Sequence, residues 1–210
     1  MPSFPAISAV FIKGAVKVSQ FPELSVPEFA FFGRSNAGKS SLINMLLNRK
    51  NLVKTGARPG MTREINFFAV NCTAYPEDGK KAPDSKSGFC VADLPGYGYA
   101  KVPEATRNRI DTMLYDYCVH RSSLKMLFLL MDIRRSPSET EQQSLDFFHS
   151  YGITTQLVAT KADKLSKNEQ FKQLKDWAAF FQCSTDSIIV TSASKKIGRP
   201  QLLACIAAHR

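Results

Sequence analysis

The sequence predicts an α/β fold, a doubly wound and mostly parallel six-stranded sheet with helices on both faces. Short apolar runs rich in β-formers alternate along the chain with segments in which apolar residues recur at helical spacing. Strands that are apolar throughout are typical of a sheet covered on both sides, and the alternation favours parallel connections. At about 150 residues per domain, the 210 residues favour one domain with additions.

The predicted elements follow one another in a regular order. Residues 1–26 are expected to form an N-terminal extension that packs on a domain of residues 27–210. Strands are predicted at residues 28–33, 65–71, 89–93, 124–132, 153–160 and 188–192. Helices are predicted at residues 40–47, 104–119, 138–151, 171–181 and 202–208.

Composition excludes several classes of protein. Hydrophobic residues make up 44% and charged residues 22%, which is ordinary for a folded chain and excludes a disordered or collagen-like one. The longest apolar run, residues 126–131, is far shorter than the roughly 20 residues of a membrane-spanning helix. The N-terminus lacks the basic start and apolar run of a secretory signal, so we expect a cytoplasmic protein. Five scattered cysteines indicate buried thiols.

Charge and two unusual loops point toward function. The formal net charge of +10 favours a polyanionic partner such as RNA, although charge alone does not identify it. Residues 49–64 are basic, contain glycine and proline, and are too long for a simple connection, which makes them a candidate functional loop. Residues 73–88 are polar and rich in turn formers, and we interpret them as an extended hairpin tip.

A phosphate-binding motif lies between the first predicted strand and helix. Residues 33–40, GRSNAGKS, match G-x-x-x-x-G-K-[ST] in the strand–loop–helix context that the P-loop requires, whereas a plain glycine-rich turn is the alternative. The glycines let backbone amides surround an anion at a helix N-terminus, the lysine reaches the terminal phosphates, and the serine hydroxyl is suited to Mg²⁺. The predicted nucleotide contacts are Gly33, Arg34, Ser35, Asn36, Ala37, Gly38, Lys39, Ser40 and Ser41.

A second motif, D-x-x-G, directly follows the strand at residues 89–93. Ligands of open α/β sheets bind beyond the carboxyl ends of the strands, so its position gives this short motif weight. A carboxylate there can meet the Mg²⁺ shell, and the glycine amide can contact a γ-phosphate. The predicted contacts are Asp93, Leu94, Pro95 and Gly96.

A third motif predicts guanine recognition. The carboxylate of a T-K-A-D sequence accepts hydrogen bonds from N1–H and the exocyclic amine of guanine, whereas adenine would leave it unpaired. The lysine stem can lie over the purine, and amides after the last strand can donate to the guanine carbonyl. The predicted contacts are Thr160, Lys161, Ala162, Asp163, Thr191, Ser192, Ala193 and Ser194.

Together these motifs resemble those of a known family. GRSNAGKSSLIN, PGMTREINFF, DLPGYGYAKV, TKAD and TSAS are similar to the EngB (YihA/YsxC) group of bacterial P-loop GTPases, in the TRAFAC class with Era and EngA. The resemblance covers nearly the whole chain, including the approach SVPEFAFFGRSN. It implies a small GTPase-like P-loop NTPase fold and a role in assembly of the large ribosomal subunit, with a family link to cell division and septation.

The resemblance also implies roles for single residues. Thr62 is similar to a switch I threonine that coordinates Mg²⁺ and senses the γ-phosphate, so the implied metal ligands are Ser40, Thr62 and Asp93. Switch I would span about residues 50–64 and switch II about residues 94–103. The remaining nucleotide contacts are Gly60, Met61, Thr62, Arg63 and Glu64. The implied catalytic residues are Asn36, Lys39, Thr62 and Gly96.

Hydrolysis is expected to be slow without help. Many GTPases carry a water-orienting glutamine directly after the D-x-x-G glycine, where this chain has Tyr97. Asn36 resembles the asparagine with which related GTPases hold K⁺ near the phosphates, which predicts stimulation by potassium.

The sequence is also compatible with two other functions. One is a non-enzymatic, GTP-sensing scaffold at the division site, which the missing glutamine allows. The other is a P-loop kinase for a small molecule, for which the T-K-A-D motif has little use. We expect a monomer that binds GTP or GDP, Mg²⁺, and the rRNA of large-subunit precursor particles.

Overall fold

A computed structural model describes residues 8–53, 64–72, 88–98 and 103–210. In these ranges a seven-stranded sheet carries helices on both faces, which confirms the predicted fold class. The strands are β1 Ala9–Ala15, β2 Glu28–Gly33, β3 Ile65–Val70, β4 Phe89–Asp93, β5 Leu124–Asp132, β6 Thr155–Thr160 and β7 Ile189–Val190. The helices are α1 Lys39–Leu46, α2 Glu104–His120, α3 Glu139–Ser150, α4 Lys167–Phe180 and α5 Arg199–Ala208.

The order of the strands brings the functional loops to one edge. The sheet order is β1-β3-β4-β2-β5-β6-β7. Strands β4, β2, β5, β6 and β7 are mutually parallel, whereas β1 and β3 run antiparallel to their neighbours. The carboxyl ends of the five parallel strands therefore share one edge of the sheet, where ligands of this fold class bind.

The predicted strand count of six is wrong by one strand. Strand β1, in the expected N-terminal extension, pairs with β3 at the edge of the sheet. A bulge between Phe11 and Lys13 shifts its register, so inward and outward residues do not alternate regularly. Without that alternation, and with a lysine and a glycine inside it, the segment carries little of the usual strand signal.

Two apolar cores cover the two faces of the sheet. One core joins the sheet to α2, α3 and α4, and includes Tyr117, Phe148 and Trp177. The other joins it to α1 and α5 and includes Leu42 and Ile206. Each helix is therefore packed against one face of the sheet.

A buried ion pair anchors the C-terminal end of α2. Glu28, at the start of β2, is fully buried and accepts a hydrogen bond from Tyr117 Oη at 2.5 Å. Arg121 donates to both carboxylate oxygens of Glu28, at 3.0 Å and 2.7 Å from its nearest nitrogens. The guanidinium also lies 5.1 Å from the ring centroid of Phe67. This cluster lies at the sheet edge opposite the functional loops.

The remaining chain-wide expectations concern cysteines and membranes. All five cysteines are free thiols, and Cys72 and Cys90 are buried. Among the described residues, no helix has the length and apolar character that crossing a bilayer requires.

Candidate functional site

The predicted phosphate-binding loop connects β2 to α1. Gly38, directly before α1, has a φ of 93°, which glycine adopts without the steric cost of a side chain. Asn36 also has a positive φ, of 64°. The amides of Ser35 and Ala37 donate to backbone carbonyls. The first-turn amides of α1 have no preceding helical carbonyl, so they are the ones available to an anion.

Gly33 is required for a different reason from the one that the motif suggests. It is the last residue of β2 and pairs with Leu130 of β5. A Cβ on Gly33 would lie 2.5 Å from the carbonyl oxygen of Leu130. Close approach of two backbones, and not the curl of the loop around an anion, therefore selects glycine at this position.

The P-loop lysine contacts the carboxylate of the second motif. Lys39 Nζ forms an ion pair with Asp93 Oδ1, and both side chains are almost fully buried. Asp93 ends β4, so this contact joins the start of α1 to the neighbouring strand. Ser40, the next residue of α1, is partly exposed. The arrangement gathers a mobile cation, a buried carboxylate and a helix N-terminus, which together suit a phosphate and its counter-ion.

The side chain of Tyr97 packs toward α3, whereas its backbone pairs with the phosphate loop, where the Ser35 amide donates to the Tyr97 carbonyl at 2.9 Å. Its hydroxyl donates to Glu141 Oε1 of α3 at 2.7 Å, and its ring lies 5.2 Å from that of Phe32. Burial raises the pKa of Tyr97, and the hydrogen bond to Glu141 raises it further. Glu141 also accepts from the Ser138 amide at 2.9 Å, within a capping box. Tyr97 is therefore a neutral packing residue in this structure.

The two loops predicted to recognise guanine are in contact. Ser192 Oγ donates to Asp163 Oδ1 at 2.5 Å, and Ser194 Oγ lies 3.1 Å from Ser192 Oγ. The amide of Ala162 donates to the carbonyl of Thr191 at 3.0 Å. The hydrogen bond from Ser192 holds the pKa of Asp163 below its ordinary value. The carboxylate is thus ionised and oriented, as recognition of two guanine N–H groups requires.

Asp132 is a site residue that the sequence motifs do not include. Lys161 Nζ donates to the Asn36 carbonyl at 2.6 Å and forms an ion pair with Asp132 Oδ2 at 3.0 Å. Arg134 donates to the same carboxylate through its side chain at 2.9 Å and 2.6 Å. Burial raises the pKa of Asp132, but the hydrogen bonds from Arg134 and Lys161 outweigh it and lower the pKa to about 2.

Thr160 positions the loops through its buried hydroxyl. Its Oγ1 donates to the carbonyl of Ala37 at 2.6 Å, which links the end of β6 to the phosphate loop. The side chains of Leu94 and Ala162 are buried in the protein interior, so only their backbones can face a ligand. The position of Asp132, at the end of an apolar strand, is the signal by which it could have been found in the sequence.

Only part of switch I lies within the residues that the structure describes. Gly60, Met61, Thr62 and Arg63 lie outside the described residues. Glu64 directly precedes β3, and its carboxylate packs against Gly14 of β1 so closely that a side chain on Gly14 would overlap it. Ser41 is exposed in the first turn of α1, and Arg34 pairs with Tyr97 in a short parallel bridge.

Comparison with known families agrees with this geometry. Residues 28–161 match the family model described as "50S ribosome-binding GTPase". The chain is 58% identical over 206 residues to the "Probable GTP-binding protein EngB" of Treponema denticola, covering 96% of this chain and 97% of that protein. It is 42% identical to the protein of the same name from Desulfosudis oleivorans, covering 95% and 94% of the two chains.

Solved structures show the same fold. A crystal structure of a probable GTP-binding protein EngB has a TM-score of 0.62 at 23% identity, covering 86% of this chain and 97% of that one. Era in complex with MgGDPNP and nucleotides 1506–1542 of 16S ribosomal RNA has a TM-score of 0.64 at 18% identity, covering 89% and 57%. The family matches favour neither a kinase nor a non-enzymatic scaffold. The chain belongs to the EngB family of GTP-binding proteins and is a P-loop GTPase.

Proposed function

We propose that this GTPase is a nucleotide-dependent switch that acts in assembly of the large ribosomal subunit. The proposal rests mainly on one observation: Lys39, Asp93 and the Asp163–Ser192 pair lie at the same edge of the sheet. The name of the matching family model and the net charge of +10 support a ribosomal partner. The GTP form docks on precursor particles, and hydrolysis releases it.

Different residues of the site contact different parts of the nucleotide. The amides at the start of α1 and the ammonium of Lys39 hold the phosphates. The carboxylate of Asp163 pairs with the guanine edge, the stem of Lys161 lies along the ring, and amides of residues 193 and 194 donate to the guanine carbonyl. We expect residues 60–64 and Gly96 to respond to the γ-phosphate.

The donor set fits Mg²⁺. A hydroxyl from Ser40, a hydroxyl from Thr62 and the carboxylate of Asp93 are hard oxygen donors, and the nearly buried Asp93 already has a cationic partner in Lys39. When bound by these donors, Mg²⁺ would supply positive charge that stabilises the phosphates of the nucleotide. Within the described ranges, no three or more His, Cys, Asp or Glu residues are arranged so that they could hold a metal ion, and a site of hydroxyls, phosphates and one carboxylate does not need such a group.

Hydrolysis by this site is slow without an activator, because Tyr97 does not orient water. Asn36 would be the residue that holds K⁺, and the cation would supply positive charge of the kind that an arginine finger supplies in other GTPases. Turnover in K⁺ buffer then exceeds turnover in Na⁺ buffer. Equal rates in both buffers, with and without ribosomal subunits, would remove the potassium role.

We also propose a location, an oligomeric state and a domain organisation for the protein. The protein is a cytoplasmic monomer, in which residues 1–26 form an extension and residues 27–210 form the GTPase domain. We also propose that it contributes to cell division and septation, as the family resemblance implies. The insertion at residues 73–88 joins β3 to β4, which pair as antiparallel neighbours.

Co-sedimentation tests the proposed function. Large ribosomal subunits are pelleted with the protein in a non-hydrolysable GTP analogue or in GDP, at several salt concentrations. We expect more protein in the pellet with the analogue, and less in both nucleotides as salt rises. Equal pelleting in the two nucleotides would defeat the switch.

A further inference from the structure

The solvent side of α4 carries a cluster of positive charge. Trp177 and Ala178 are buried against the rest of the domain, whereas most other residues of the helix are exposed. At about 100° per residue, three exposed lysines and one exposed phenylalanine fall within an arc of about 140° around the helix axis. This α4 basic face consists of Lys167, Phe171, Lys172 and Lys175, all of which are exposed.

The three lysines of this face have no ion-pair partner in the ranges that the structure covers. Glu169 and Asp176 lie three and four residues from Lys172, on the flank of the face that is farther from Lys167 and Phe171. The Glu169 carboxylate is occupied at the start of the helix, where it accepts from the Ser166 amide at 2.7 Å. The face therefore presents a local field that attracts polyanions.

Phe171 adds an aromatic surface to the same face. The residue is 57% exposed, the highest value among the large hydrophobic residues that the structure describes. Lys175 Nζ lies 4.5 Å from its ring centroid. An exposed ring among unpaired lysines suits single-stranded RNA, because an unstacked base can lie on the ring while the lysines contact phosphates.

We infer that the α4 basic face binds unpaired segments of ribosomal RNA, with Phe171 stacking on a base and the three lysines contacting the backbone. The inference rests on the proposed function for its choice of ribosomal RNA. In the sheet, β6 and β7 lie on the opposite side of β2 from β4, whose end leads into switch II. Because α4 connects β6 to β7, its contribution to RNA affinity is the same in GTP and GDP.

Protein-free RNA from large subunits is the probe, in filter binding across a salt series. The variant K167A/K172A/K175A is compared with K13A/K17A/K125A, which removes three exposed lysines elsewhere and the same net charge. We expect the α4 variant to reduce the slope of log affinity against log salt by about 2 to 3, and the control to keep the wild-type slope. F171A lowers affinity about tenfold at constant slope, and F171W restores it.

Equal binding by the α4 variant and the control would overturn the inference. It would also be overturned if the α4 variant bound free RNA like the control but no longer pelleted with subunits, since an acidic ribosomal protein would then be the partner. Nucleotide affinity and melting temperature confirm that each variant is folded. If the wild type pellets equally in both nucleotides while the α4 variant loses RNA binding, only the switch proposal fails.

Discussion

Asp132 holds the lysine of the guanine-binding motif in place. Its nearly buried carboxylate accepts from Lys161, whose ammonium also donates to the Asn36 carbonyl of the phosphate loop. Asp132→Asn keeps the shape of the side chain and removes the charge that fixes Lys161. We expect about a tenfold weaker affinity for GDP, as for loss of one hydrogen bond to a charged group. Calorimetric titration measures this change.

Arg134→Gln is the matched control, because Arg134 contacts the same carboxylate but not the nucleotide loop. It should weaken GDP binding less than Asp132→Asn does. If both variants bind GDP as tightly as the wild type, Asp132 has no positioning role.

The lowered pKa of Asp132 predicts a pH dependence of stability. An unfolded aspartate titrates near 3.9, whereas the folded value is about 2. The ionised form is thus favoured by folding, so its contribution is complete above about pH 5 and is lost as pH falls from about 4 to 2. Urea unfolding of the wild type and Asp132→Asn should show a difference that shrinks over that interval. A constant difference down to pH 2 would contradict the assignment.

Tyr97 is expected to be structural and not catalytic. Its hydroxyl donates to Glu141, and the rest of the ring packs on Phe32. Tyr97→Phe should lower the free energy of unfolding by about 1 kcal/mol through the lost hydrogen bond. The single-turnover rate of GTP hydrolysis should stay unchanged, and a tenfold lower rate would show that the hydroxyl takes part in catalysis.

At the scale of elements, the C-terminal end of α2 depends on one buried ion pair. Arg121 is the cationic partner of the fully buried Glu28. Arg121→Met leaves that carboxylate without a counter-charge and should lower the free energy of unfolding by about 3–5 kcal/mol. Denaturant unfolding measures the loss. The double variant Glu28→Gln/Arg121→Met should recover part of it, and a single-variant loss below about 1 kcal/mol would contradict the account.

The elements also show where reasoning from sequence succeeds. Strands such as β5 and helices such as α2 were predicted within two residues of their observed ends, because apolar runs and helical periodicity record burial directly. Strand β7 has only two residues instead of the five predicted, since backbone pairing and not hydropathy limits it. Strand β1 was not predicted, because its bulge and its place at the edge of the sheet weaken the pattern of burial.

At the scale of the molecule, the sequence predicts which loops lie at the carboxyl edge of the sheet but not how they are held together. The phosphate loop and the T-K-A-D and T-S-A-S segments were recognisable because ligand chemistry restricts their residue types. The links from Lys161 to Asp132, from Thr160 to Ala37 and from Tyr97 to Glu141 join positions 29 to 123 residues apart. Such pairs depend on the order of the strands in the sheet, and this order cannot be inferred from local sequence patterns.

The convergence of separate strand ends on one purine is tested most directly by titrating Asp163→Asn with GDP and with xanthosine diphosphate. The carboxylate of Asp163 is oriented by Ser192 from the neighbouring loop. The wild type should prefer GDP, and the variant should prefer xanthosine diphosphate, because an amide N–H can donate to the additional carbonyl of xanthine. A variant that still prefers GDP would contradict the account.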